Sequence, residues 1–225
     1  VAGQALQARY GGTLVPHAKD TARLQPRPEW RERARARLGV VGARPVVLFM
    51  GTPRVYSGVE DAAEAVRRMR HPADLVVAGG DPADPFLRSL KAALPGVAFH
   101  PPYRLDEVPL LLEAADVVVV PQRLHPQSAM QVPSKLLDAM AMARPAVGTA
   151  VSDIPAMLAG GRGLVVPPAD PAALAAALDA VLDAPGAARD MGLRARRWCE
   201  RHASYDAVRA TLRGVIEDAA ARRTA

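Results

Sequence analysis

Six short runs of the chain are apolar without polar alternation: Pro45 to Gly51 (PVVLFMG), Leu75 to Gly80 (LVVAGG), Val97 to His100 (VAFH), Asp116 to Pro121 (DVVVVP), Pro145 to Ala150 (PAVGTA) and Gly163 to Pro167 (GLVVP). An alternating strand would have one wet face, whereas a continuous apolar run suits a strand covered on both sides. Between these runs lie segments with helical spacing: Val59 to Arg70, Phe86 to Leu94, Leu105 to Ala115, Ser134 to Ala143 and a short turn near Ile154 to Leu158. Such alternation predicts a doubly wound α/β domain, a Rossmann-like parallel sheet of about six strands with helices on both faces. Three more helices are expected behind it. They run from Pro171 to Leu182 with Asp170 as N-cap, through a second ending near His202, to a third from Tyr205 to about Arg222 after Ser204.

The first 28 residues read differently, with a short helical pattern, a strand at Thr13 to Val15 and a proline-punctuated connector. A charged helix from Glu29 to Leu38 then opens the next unit. The chain starts without a methionine, midway through an element, as a piece of something longer would. The expected division is therefore 1–28 as the remnant of a preceding domain and its linker, 29–202 as the α/β domain, and 203–225 as a carboxyl-terminal helix.

Composition narrows the function classes. Half the residues are hydrophobic and only 4% aromatic, which suits alternating helices and buried strands better than a sandwich of aromatic-rich strands. A single cysteine, Cys199, excludes an internal disulfide framework and makes a reducing cytoplasm the default location. No apolar run approaches the roughly 20 residues that span a bilayer. The formal charge of +6 is carried almost wholly by arginine, the lysines being Lys19, Lys91 and Lys135. A basic surface favours anionic partners such as nucleotide-sugars, lipid phosphates or an anionic membrane face, so peripheral contact with the inner membrane stays open. Nucleic acid is not expected, because the arginines gather in two helices, Arg31 to Arg37 and Arg194 to Arg201, without interleaved aromatics. Solvated helix faces are the simpler expectation for both.

The candidate chemistry lies between Asp116 and Thr149. Strand, polar loop and helix start come together there at the carboxyl edge of a parallel sheet, where open α/β sheets bind ligands. Pro133 suits the first helical position, which leaves the Ser134 and Lys135 amides free to face an anion. Lys135 in the first turn opposes the helix dipole, and a bound phosphate would reverse that sign. Asp138, one turn after Ser134, could accept from a sugar hydroxyl. Against this stands a plain helix start with Lys135 and Asp138 in water.

Taken together, the segments resemble the carboxyl-terminal half of a retaining glycosyltransferase of the GT-B fold, in the large family 4, or group 1, of glycosyl transferases. FMGTPRVYSGVEDAAEAV resembles the family's opening strand, glycine turn and first helix, and DLVVAGGDP its second strand and turn. LDEVPLLLEAADVVVVP resembles the helix and strand before the donor loop, PSKLLDAMAMARPAVGTAVSDIPAML the donor-binding helix and next strand, and GRGLVVPPADPAALAAALDAVLDAP the family's ending. YGG, LVP and Lys19-Asp20 look like the end of the amino-terminal domain and its linker.

The resemblance implies a bacterial-type, metal-independent, hexosyltransferase-type enzyme that uses a nucleotide diphosphate-sugar as substrate, with no cofactor. Residues 29–202 would be the nucleotide-sugar-binding domain. Its implied partners are the donor, an acceptor sugar, lipid or natural product, and the amino-terminal domain of the same protein. By position, Gly51, Arg54, Ser134 and Lys135 would bind the donor diphosphate and Asp138 the ribose. Met130 falls on the sugar side, where the family carries a glutamate, and Ser57 replaces the usual lysine of the first turn. The loop with Pro102, Tyr103 and Arg104 would face the base. No catalytic residue is assigned. The sequence offers no metal site: it has no Asp-x-Asp pair and no His/Cys cluster of ligand spacing. The competing readings are an epimerase or phosphorylase of similar fold, and a non-catalytic nucleotide-binding or assembly module.

Overall fold

The computed structural model describes Val1 and residues 3–224. In chain order the elements are α1 (Gln4–Tyr10), α2 (Arg31–Arg37), β1 (Val46–Met50), α3 (Val59–Arg68), β2 (Asp74–Ala78), α4 (Pro85–Ala93), β3 (Ala98–His100), α5 (Val108–Glu113), β4 (Val117–Val120), α6 (Pro126–Ala129), α7 (Ser134–Ala141), β5 (Ala146–Thr149), α8 (Ile154–Leu158), β6 (Leu164–Val166), α9 (Pro171–Asp183), α10 (Pro185–His202) and α11 (Tyr205–Thr224). Ala225, at the end of the expected last segment, lies outside the described residues.

The six strands form one parallel sheet in the order β3-β2-β1-β4-β5-β6. Every residue of β1 and β4 is buried, as their unbroken apolar runs require. Val46, Leu48 and Met50 point into a core shared with α2, α5, α7, α8 and α10, while Val47 and Phe49 point into one shared with α3, α4 and α9. Each valine so enclosed contributes roughly 1.5–3 kcal/mol over an exposed one. Capping fixes the helix starts: the Asp170 side chain accepts from the Ala173 amide (2.9 Å), Ser204 from Ala207 (3.2 Å) and Asp84 from Phe86 (2.9 Å).

The strand order reverses between β1 and β4, and ligand crevices of such sheets open outside the carboxyl ends at that point.

Several expectations need correction. Thr13 to Val15 forms no strand: the Val15 amide instead donates to the Val1 carbonyl at 2.8 Å. The helices expected at Glu29 to Leu38 and Leu105 to Ala115 each begin with a tighter 3-10 turn, Pro28–Trp30 and Leu105–Glu107. Pro133 is the extended N-cap of α7 (ψ 95°) rather than its first residue, which still leaves Ser134 and Lys135 as the first helical amides. The arginine-rich helices are not simply solvated. Arg31 pairs with Asp116 (2.7 Å) and Arg37 with Glu107 (2.7 Å), while Arg196 donates to the carbonyls of Leu24 (2.6 Å), Thr21 (3.2 Å) and Ala141.

Candidate functional site

The first wall of the crevice is the turn after β1. Gly51 adopts φ +109°, and a Cβ built there would sit 3.2 Å from the Lys135 Nζ, so the glycine lets the backbone approach that ammonium. Ser57, at the position where the resemblance implies a lysine, is a buried turn residue. Its Oγ accepts from the Arg54 amide (2.9 Å), and its own amide donates to the Arg54 carbonyl (2.8 Å). The Arg54 guanidinium is half-exposed and pairs with Asp84 at 3.2 Å. It therefore faces the start of α4, not that of α7.

A second wall comes from the loop after β4, which is fastened to the first. Arg123 holds Asp61 with two bonds (2.7 and 2.8 Å) and donates its amide to the Tyr56 carbonyl (2.9 Å). The rings of Tyr56 and His125 stack at 5.2 Å between centroids. Met130 follows α6 and is partly buried. Gln122, 4% exposed at the end of β4, has an Oε1 with no hydrogen-bond partner among the described residues.

The floor is the start of α7. Among the described residues, the Ser134 and Lys135 amides donate no hydrogen bond, the first intrahelical bond running from Leu136 to the Pro133 carbonyl (2.9 Å). The Lys135 ammonium lies 4.0 Å from the centre of the Phe49 ring and has no carboxylate within ion-pair distance among the described residues. Burial pushes it down to about 8. Asp138 is different. Its Oδ1 lies 2.6 Å from the Nζ of Lys19, which also donates to the Ser134 Oγ at 2.7 Å. Burial raises the Asp138 pKa, and Lys19 opposes that rise.

Of the base-loop residues, Pro102 is exposed and Arg104 turns to Asp106 (3.0 Å). Tyr103 packs against the core, its hydroxyl pushed up to about 12 by burial and by the charge of Asp138. The fold thus brings Gly51 against Lys135 and sets Ser134, Asp138 and Tyr103 near the same helix start, and it directs the Arg54 and Arg104 side chains to other partners.

Sequence reasoning missed Lys19, 115 residues before Ser134. The signal was its rarity, since two of the three lysines in an arginine-rich chain meet at one helix start.

Residues 44–184 match the model of a family described as glycosyl transferases group 1. The chain belongs to that family. A D-inositol 3-phosphate glycosyltransferase from Kineococcus radiotolerans is 34% identical to this group 1 chain over 240 residues, covering 94% of the chain and 54% of the relative. The Anabaena HepE protein, whose structure was solved with UDP and glucose, superposes with a TM-score of 0.84 at 16% identity, over 97% of this chain and 62% of that one. The carboxyl-terminal domain of a glycosyl transferase group 1 family protein from Francisella tularensis superposes at 0.64 and 18% identity, over 84% of this chain and all of that one. The chain spans about half the length of the curated relatives it matches, and its fold is that of the carboxyl-terminal half of a GT-B glycosyltransferase. Among the described residues no helix is long and apolar enough to cross a membrane.

Proposed function

We propose that these residues are the donor-binding half of a retaining glycosyltransferase, which moves a sugar from a nucleotide diphosphate-sugar to an acceptor hydroxyl with retention at the anomeric carbon. The observation that carries this is Lys135, a mostly covered ammonium with no carboxylate within ion-pair distance among the described residues, beside the Gly51 backbone and the first open amides of α7. A charge in that state is costly for a fold that only needs to be stable. A diphosphate there would supply the missing negative charge. As the glycosidic bond breaks, charge grows on the departing diphosphate, and the Lys135 ammonium with the Ser134 and Lys135 amides would stabilise it without a metal.

In this reading Asp138 takes the ribose, Met130 borders the sugar, and Pro102, Tyr103 and Arg104 border the base. Residues 1–28 would belong to the end of an amino-terminal domain and its linker, 29–202 to the donor domain and 203–225 to the closing helix. The fold likeness to a protein solved with UDP and glucose supports a nucleotide-sugar donor. Most acceptor contacts would come from the amino-terminal half of a GT-B enzyme, so this chain alone should bind donor weakly and turn over poorly. A cytoplasmic enzyme would result, touching the inner membrane face where its acceptor is a lipid. One observation favours a second reading, a nucleotide-binding module without chemistry: Met130 offers the sugar no charged acceptor.

The test is a calorimetric titration of the chain with uridine, guanosine and adenosine diphosphates and with pyrophosphate. Asp138→Asn should weaken the preferred nucleotide roughly tenfold and leave pyrophosphate nearly unchanged. Equal loss of both ligands, or of neither, contradicts the ribose assignment.

Lys135 gives this binding a pH signature. Its ammonium is half charged near pH 8, and an anion pairing with it draws a proton on. Affinity should therefore fall as pH rises from about 7.5 to about 9.5, with proton uptake on binding near pH 8. Titrations in buffers of unlike ionisation enthalpy read this directly, and proton release at that pH would contradict it.

A further inference from the structure

Lys19 is far from the α7 start in sequence, yet it is held there at both ends. Its amide donates to the Ala203 carbonyl (2.7 Å), and its carbonyl accepts from the Tyr205 amide (3.1 Å), fixing the backbone to the corner between α10 and α11. From that anchor the side chain, only 13% exposed, reaches both Ser134 and Asp138. The ammonium can only donate. Ser134 Oγ must therefore accept from it, which leaves the serine hydroxyl hydrogen free to point elsewhere. The same contact occupies Oδ1 of Asp138 and leaves Oδ2 as the acceptor not engaged by Lys19.

We propose that Lys19 is a positioning residue of the donor site, setting Ser134 as a donor toward phosphate and Asp138 as an ionised acceptor toward the ribose diol. This rests on the donor-site reading above. The aligned hydroxyl and carboxylate then present opposite polarities, one turn apart, as a sugar phosphate requires. Without Lys19 the partly buried Asp138 loses the cation that opposes its protonation, and Ser134 can spend its hydrogen on Asp138 instead of on a ligand.

The experiment is a double-mutant cycle with Lys19→Met and Asp138→Asn, titrated with the three nucleoside diphosphates and with pyrophosphate, and with thermal melts as a folding control. Lys19→Met should weaken the preferred nucleotide roughly tenfold and pyrophosphate less than about threefold. In the Asp138→Asn background its effect on nucleotide should shrink to within about twofold. A merely structural lysine would lower both ligands together, and additive effects would likewise overturn the proposal. Tighter nucleotide binding by Lys19→Met overturns it too, since Lys19 would then be a plug that competes with the ribose. If Asp138→Asn weakens nucleotide but Lys19→Met does not, the Lys19 role falls and the donor site stands. If the parent chain binds none of the four ligands, both fall.

Discussion

Replacing Lys135 with methionine should make the chain more stable and its diphosphate site worse. The ammonium is desolvated and has no carboxylate within ion-pair distance among the described residues, so its charge costs the fold more than the Phe49 ring returns. Methionine keeps the length and the packing on Phe49 while removing that cost, for a gain of about 1–3 kcal/mol near neutral pH. The sign follows from the lowered pKa. Below about pH 8 the group is charged in both folded and unfolded chains and the full desolvation cost is felt, whereas above it the folded amine sheds its proton and the advantage of methionine shrinks. The same substitution should weaken nucleoside diphosphate and pyrophosphate alike, roughly 10- to 100-fold, because a charge-assisted contact is lost. Thermal melts at two pH values and calorimetry on one preparation measure both halves. A variant that is destabilised, or that binds unchanged, would show that the lysine serves packing.

The second large effect is expected at Gly58. It precedes α3 with φ +68°, and a Cβ there would lie 1.8 Å from the Pro121 carbonyl oxygen. Alanine must therefore bear a left-handed backbone and push apart the segments after β1 and β4 that the Arg123, Asp61 and Tyr56 contacts hold together. Strain and overpacking together should cost roughly 3 kcal/mol or more, read as a lower urea midpoint. Gly214→Ala is the contrast. It lies inside α11 with open space around it, and should be stabilising by about 0.5–1 kcal/mol. Equal responses at the two positions would refute the close-approach argument.

The sheet was legible in the sequence because runs such as VVLFM and VVVV are long enough to demand two covered faces, and the helices between them left little choice of topology. Strand pairing was not legible at Thr13 to Val15, where β-compatible residues find no neighbouring strand among the described residues. The short helix α6 carries no period to detect. It stands on the His125 ring accepting from Gln127 (3.2 Å) and on Ser128 accepting from the His125 amide (3.0 Å), bonds that require the turn to exist first. At the site, Ser134, Lys135 and Asp138 announced themselves through local spacing on one helix. What engages them did not. Lys19 arrives from 115 residues away through the packing of α10 and α11, and Arg54 is drawn off by Asp84, a partner thirty residues on.

The serine at position 57 narrows the evolutionary paths open to this chain. Its hydroxyl closes the turn from an almost fully buried position, so a long basic side chain cannot simply be fitted there by a single substitution. Mutational access and local packing are coupled here: the loop would have to be rebuilt before a lysine could fit.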